Sequence, residues 1–348
     1  MKRVIIGENQ TINRPVCLPT HGNLKVRVGE MVEFGNLIAE SSQPERFEVI
    51  DIPSHFNLSP EQAEGTIKRL LGDVIAKGDV LAQKDGFITQ LFRSPGDGKV
   101  VSLRDGRITL AIGLEKEQVF APMPGVVAEL IGTRGAMISL TGTVVEGTWG
   151  NGKVAQGELA FWDDLETNLL GVPGEMVKDK LIAFKKFATA GQIRRILRLK
   201  PAGLILPSVS YKQFNLVSEL DIAVISLLGF GETNMDTASM AMLETMSGKT
   251  VCLLAEESTW GPKLSPLLIL PADKPADLGL TRQTARLEVG AKVRLMGKPY
   301  MGMVGTVKAL PKQPAVFASG LQSPVVELLC DGDQVINASI HNVELIQS

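Results

Sequence analysis

The sequence predicts a multidomain chain: a β-rich region, then an α/β region with a largely parallel sheet, then a small closing β-barrel. Three observations carry that reading. The 35 Gly and 19 Pro of the 348 residues follow no fixed period, which marks many tight turns and short strands in place of long helices. From about residue 179, aliphatic runs alternate with helical periodicities, as βαβ units require. After a proline-rich stretch the chain returns to short strands and turns. The boundaries expected are 1–165 for the β-rich region, 166–260 for the α/β domain, 261–286 for a connector and 287–348 for the barrel.

Residues 28–39 and 71–82 are two copies of one pattern. Each holds a Gly-acid pair (Gly29-Glu30, Gly72-Asp73), a second Gly six residues on (Gly35, Gly78), then two aliphatics and Ala, at an offset of 43 residues. The pattern reads as a strand, a turn whose glycine supplies positive φ, and a second strand. Residues 94–101 and 121–127 form a second pair of echoes. Each leads to a turn, Arg104-Asp105-Gly106 or Thr133-Arg134-Gly135, and another strand. Between the first two copies, Ser59-Pro60-Glu61-Gln62 predicts an N-cap, a Pro at the first helical position and a helix through about Leu70. The rest of residues 22–160 reads as short strands.

These segments, with Ala121-Pro122-Met123-Pro124-Gly125, resemble biotinyl/lipoyl-type barrel-sandwich hybrids. Degenerate copies of that fold occur in the largest subunits of bacterial RNA polymerase and in RnfC-type electron-transfer subunits. The resemblance implies a barrel-sandwich hybrid. A true carrier also needs a lysine at an exposed hairpin tip. Residues 41–45 of the first copy have none, and Lys84 of the second, beside Asp85-Gly86, lacks the Met or Ala context of carriers. Lys84 is therefore expected to be a solvated hairpin residue, and no cofactor is expected.

In the α/β region, residues 181–184, 203–206, 221–228 and 250–254 read as strands and residues 188–200 and 235–246 as helices, the second capped by Thr233 or Asn234. Aliphatic strands alternating with helices imply a parallel sheet covered on both faces. Pro262, Pro266, Pro271 and Pro275 mark the connector. Beyond it, residues 290–295 followed by Pro299-Tyr300-Met301-Gly302-Met303-Val304-Gly305-Thr306-Val307 resemble a KOW motif, as found in NusG-type transcription factors and some ribosomal proteins. That resemblance implies an SH3-like barrel that binds RNA, ribosome or polymerase. Strands at 325–328, 335–336 and 342–346 and a turn at 331–333 would complete it.

Composition excludes several classes. The net charge of −2 gives no global attraction to nucleic acid or membrane. Cys17, Cys252 and Cys330 form no CxxC pair, so neither a zinc ribbon nor an iron–sulfur cluster is expected, which discounts an RnfC-like redox subunit. The sparse, odd cysteine count fits a reducing compartment. The apolar run after Lys2-Arg3 is too short for a signal sequence, and none approaches the roughly 18 residues of a membrane span. The cytoplasm is the default, without membrane insertion.

Candidate sites are few. His21, His55 and His341 stand at no metal-ligand spacing, and no HExxH or nucleophile elbow occurs, so no catalytic residue is assigned. Gly248-Lys249-Thr250 is no P-loop, because a helix precedes it and a strand follows; Gly248 is better read as a helix C-cap. Gly229, Gly231, Thr233 and Asn234 lie in a turn that follows a parallel strand and opens a helix, where open α/β sheets bind ligands. A plain strand-to-helix turn explains them too. Residues 178–200 hold eight Lys or Arg against one acid. Arg194, Arg195 and Arg198 there could hold RNA or an acidic partner, or form a solvated helix face. Lys298 and Tyr300 of the KOW loop are candidates for partner contact, and no DNA readout is evident. The expectation is a non-catalytic binding or scaffold protein that docks onto a cytoplasmic machine of transcription or translation. The alternative is a small-molecule-binding or enzymatic α/β domain with its site at the 229–234 turn.

Overall fold

The computed structural model describes residues 2–113, 115–165, 174–256, 264–272, 287–317, 319–330 and 334–347. Strand outweighs helix, 46% to 14%, and most strands join one 16-stranded mixed sheet, with several small sheets beside it.

The first region begins with β1 (Lys2–Cys17), β2 (Asn23–Leu24), β3 (Met31–Val32), β4 (Leu37–Gln43) and β5 (Arg46–Asp51). Helices α1 (Ile52–Phe56) and α2 (Pro60–Glu64) follow, then β6 (Val74–Ile75), β7 (Val80–Lys84), β8 (Gln90–Arg93) and β9 (Gly98–Arg104). It closes with β10 (Arg107–Ile112), β11 (Glu115–Phe120), β12 (Gly125–Ile131) and β13 (Gly135–Glu146).

The repeated pattern becomes repeated structure. In the first copy the Gly29 N–H donates to Val127 O and the Gly35 N–H to Ala121 O; in the second, Gly72 donates to Val100 O and Gly78 to Ser94 O. All four glycines have positive φ, between 81° and 94°. The Glu30 and Asp73 carboxylates accept from the Arg27 and Leu70 N–H groups in the same way. Each copy closes on its own echo, β3 on β12 and β6 on β9. Residues 46–112 are therefore a second unit inserted into the first, and β4 paired with β11 forms the neck between them. The outer unit packs Val32, Ile38, Val127 and Ile138, and the inserted unit packs Ile75, Leu81, Val100 and Leu110.

Local differences from the expected elements have physical causes. The helix begins at Pro60, with the Ser59–Gln62 capping box in place, but it ends at Glu64. Gly65 follows, the Thr66 hydroxyl bonds back to Ala63 O, and Ile67 bridges to Ala82. Helix α1, capped by Asp51, is too short to show a period. Residues 2–17 carried no expected element, yet from Ile6 to Cys17 they pair with β13. A bulge between Gly7 and Gln10 breaks the alternation that would have revealed them.

The α/β region holds β14 (Trp149–Gly150), β15 (Val154–Phe161), α3 (Trp162–Leu165), β16 (Leu181–Ala183), α4 (Ala190–Leu197) and β17 (Gly203–Leu206). Then come α5 (Tyr211–Ser218), β18 (Ala223–Ser226), α6 (Thr237–Met246), β19 (Thr250–Leu254) and β20 (Leu267–Pro271). Strands β15 to β18 are parallel neighbours, whereas β19 runs antiparallel to β15. Alternate strand residues face opposite layers. Ile182, Leu204 and Val224 pack with Ile193 and Ile196 of α4 and Val217 of α5, while Ala183, Ile205 and Ile225 pack with Leu243 and Met246 of α6. Helix α5 was not anticipated, although two parallel neighbours need such a crossover. Nor was β20, which lies between β13 and β19 within the stretch read as connector. Its flanking Pro266 and Pro271 masked a run of four apolar residues. Pro262, Pro275 and residues 273–286 lie outside the described residues.

The last region comprises β21 (Lys292–Leu295), β22 (Val304–Ala309), β23 (Ala315–Val316), β24 (Gln322–Ser323), β25 (Val325–Cys330), β26 (Gln334–Ser339) and β27 (Val343–Gln347). Five of these follow the order β27-β21-β22-β25-β26 around Val293, Val307, Leu328 and Leu345. The turn expected at 331–333 lies outside the described residues. Residues 2–5 of β1 pair in parallel with β27, so the first strand ties this region to the rest.

Candidate functional site

The carboxyl ends of β16, β17 and β18 gather three loops. Gly229 turns the chain after β18 at φ +78°, and a Cβ there would lie 2.9 Å from Thr148 Cγ2. The Ser226 hydroxyl donates to Gly229 O, and the Gly231 N–H donates to Val209 O. Ser208 both accepts from the Thr233 N–H and donates to Thr233 O. Asn234 Oδ1 accepts from the Phe187 N–H, and the Met235 N–H donates to Lys185 O. The turn is thus pinned to both neighbouring loops, and the N–H groups of Gly231, Thr233 and Met235 are consumed inside the protein.

The N-cap of α6 is Asp236, not Thr233 or Asn234 as expected. Its Oδ1 accepts from the Ser239 N–H, while Asn234 Oδ1 is engaged by the Phe187 N–H and Thr233 stands too far before Thr237, the first helical residue. Its Oδ2 accepts from Arg294 Nη1 at 3.1 Å, and Arg294 Nη2 donates to Glu344 Oε2 at 2.8 Å. Arg294 is fully buried. This ion triad fastens the start of α6 to β21 and β27.

The loop between β21 and β22 therefore sits over the turn. It holds a cis Lys298–Pro299 peptide and is braced by the Gly302 N–H to Leu295 O and the Met296 N–H to Asn342 O. Gly302, at φ +88°, comes so close that a Cβ would lie 3.1 Å from Leu228 Cδ1. Between turn and loop opens a cleft of about 610 Å³, lined by residues 232–237 and 298–304. Two candidate sets that are far apart in sequence meet there: Thr233 and Asn234 on one wall, Lys298 and Tyr300 on the other. Gly229 and Gly231 are not among the lining residues; a Cβ on Gly231 would lie 3.6 Å from Met301 Sδ of the facing loop. Sequence reading placed Glu232 within the candidate turn but did not single out Met235, Asp236, Met301 or Met303, which line the same cleft. On the far side of the Lys298–Tyr300 segment a second groove of about 670 Å³ runs past Phe317, Leu321 and Ile336.

The remaining candidates stand elsewhere. Arg194, Arg195 and Arg198 are exposed on α4, and Arg195 lies over the Trp162 ring at 5.7 Å. Lys84 donates its ammonium to Phe56 O at 2.8 Å. His55 packs edge-on to Phe92. Burial pushes the Cys252 thiol up to about 12, far from a thiolate nucleophile. Among the described residues no group of three His, Cys, Asp or Glu could hold a metal ion, and no helix is long and apolar enough to cross a membrane. No protein-family model matches the chain, and no curated protein matches it at significance.

Proposed function

We propose that the protein is a non-catalytic binding protein that docks onto a cytoplasmic machine of transcription or translation, and that the cleft between the turn and the β21–β22 loop receives its partner. The observation that carries this reading is the convergence of Thr233 and Asn234 with Lys298 and Tyr300 in one cleft. Its wall suits a protein segment. Met235, Met301 and Met303 offer adaptable apolar surface, Tyr300 offers an amphipathic ring, and the hydroxyls, amide and Lys298 form a polar border. The inner N–H groups of the turn are spent on protein acceptors, and the exposed Glu232 adds negative charge, which disfavours a phosphorylated ligand. The strand order β27-β21-β22-β25-β26 supports the KOW and SH3-like reading of the last region. The nested repeat supports the barrel-sandwich-hybrid reading of the first.

The test is an affinity pull-down of tagged protein with and without nuclease, beside Lys298→Glu and Tyr300→Ala. Recovery of polymerase or ribosomal proteins by the native chain, and their loss with both variants, is expected. Equal recovery by all three would overturn the assignment of the cleft. A second reading, a small-molecule site, draws on the cleft's volume of about 610 Å³, within the range of ligand pockets. A ligand present at about 100 times its Kd would add about 2.7 kcal/mol of stability in a thermal-shift screen.

A further inference from the structure

We propose that two copies of this chain associate through the free edge of β5, which extends the sheet of the inserted unit across a two-fold axis. β5 ends the order β5-β10-β9-β6. On one side it pairs with β10 over all six of its residues without a bulge. On the other side residues 46–51 make no backbone hydrogen bond among the described residues. Natural edges are usually blunted by proline, a bulge or inward charge; β5 has neither proline nor bulge, and its two core-side charges, Arg46 and Glu48, are of opposite sign and offset each other at 3.7 Å.

The face beside this edge exposes large apolar side chains, Phe47, Val49 and Val74, among polar ones, Lys99, Thr109 and the Asp51–Arg107 pair. Register places Phe47, Ala111, Lys99 and Val74 in one row across the four strands, opposite the face that carries Ile50, Ile108 and Leu110 into the core. Phe47 is 64%, Val49 63% and Val74 81% exposed. An antiparallel sheet ordinarily turns a polar face to water.

Charge pattern selects a second copy as the occupant. Side chains alternate between faces, so facing residues must be of like parity for the apolar faces to coincide. Four antiparallel registers of β5 on itself satisfy this with at least three facing pairs, centred on Phe47, Glu48, Val49 or Ile50. Centring on Glu48 opposes like charges, centring on Val49 sets Phe47 against Asp51, and centring on Ile50 sets Val49 against Asp51 twice; all three give unfavourable facing pairs. Centring on Phe47 sets Arg46 against Glu48 of the second copy, twice, and Phe47 against Phe47. The row Val74–Lys99–Ala111–Phe47 then continues unbroken through the axis.

The test is sedimentation equilibrium of the full chain from about 1 to 100 μM, where a small interface of this kind dissociates. A dimer is expected. Arg46→Glu and Glu48→Arg each turn two attractive facing pairs into repulsive ones and weaken it roughly tenfold, while the double variant restores it. Arg46 and Glu48 also pair within one chain at 3.7 Å, so thermal melts of each variant separate a loss of folding from a loss of association. In a Cys17→Ser background, Phe47→Cys should oxidise to a covalent dimer, because facing Cα atoms about 4.5–5.5 Å apart suit a disulfide. Val49→Cys should not, since its mate stands more than about 13 Å away. Any one of four results overturns the proposal: a native chain monomeric at the highest concentration, a dimer indifferent to both charge swaps, a Val49→Cys cross-link, or a different protein captured on β5 by a monomeric chain.

Discussion

Arg294→Ala is the substitution whose cost the structure specifies most closely. Arg294 is fully buried, with Asp236 at 3.1 Å and Glu344 at 2.8 Å, and both carboxylates are nearly inaccessible. Removing the guanidinium leaves two carboxylates in the interior without their shared counter-charge. Breaking a buried pair in this way costs about 3–5 kcal/mol. Arg294 Nε has no partner among the described residues, so the native triad already forfeits one hydrogen bond, which places the expected loss toward the lower end. Asp236→Asn keeps the cap on Ser239 and loses only the charge, so it separates the ion pair from the helix start. Its cost should fall below that of Arg294→Ala, because Glu344 still pairs with Arg294 and no buried carboxylate is left without its counter-charge. Guanidinium unfolding reads the total, and limited proteolysis between α6 and β21 reads whether the last region has come loose. A loss under about 1 kcal/mol, the scale of an exposed pair, with native protease resistance, would refute the reasoning.

Three further predictions test other levels of the structure. Gly98→Ala and Gly125→Ala should each destabilise by about 1–3 kcal/mol or more, because a Cβ would lie 2.3 Å from Ala111 O and 2.5 Å from Ser139 O; melting temperatures that match the native protein would contradict the duplicated geometry. Asp51 accepts from the Ser54 N–H and pairs with Arg107, which together hold its carboxyl below the ordinary carboxylate range. Its contribution is full above the unfolded value and lost as pH falls through the folded one, so Asp51→Asn should flatten the acid limb of a stability–pH curve and leave its alkaline limb unchanged. Cys252, buried and with its thiol pushed up to about 12, should resist an aromatic disulfide reagent at pH 8 until guanidinium unfolds the sheet.

The repeat in the first region was legible because its determinants are local. A glycine at positive φ and a carboxylate three residues from the N–H it caps are set by adjacent residues, and they recur intact 43 residues on. Strands β16, β17 and β18 were legible for a similar reason, as short aliphatic runs buried on both faces. Helix α5 was not. Tyr211-Lys212-Gln213-Phe214 carries a weak apolar stripe, and the Ser210–Gln213 contact that starts it needs the loop already turned. The cap of α6 was undecidable from sequence, since Thr233, Asn234 and Asp236 all qualify; the fold starts the helix at Thr237, which leaves Thr233 out of reach, and Asn234 Oδ1 is taken by the Phe187 N–H. The two walls of the cleft were each singled out as separate candidates. No local pattern states that the loop after β21 lies on the turn after β18.

That meeting rests on Asp236, which performs two tasks with its two oxygens. One fixes the first turn of α6 and the other holds Arg294, so the helix start and the position of the last region cannot vary independently. The cleft lies directly beside this linkage, between Thr237 at the start of α6 and Val304 at the start of β22. A partner that contacts both walls therefore binds only while the triad is closed, and its binding free energy adds to the free energy that keeps the triad closed. By linkage the coupling would be reciprocal: loosening Arg294 would weaken the binding of the proposed partner, and that partner would in turn hold the last region against the sheet.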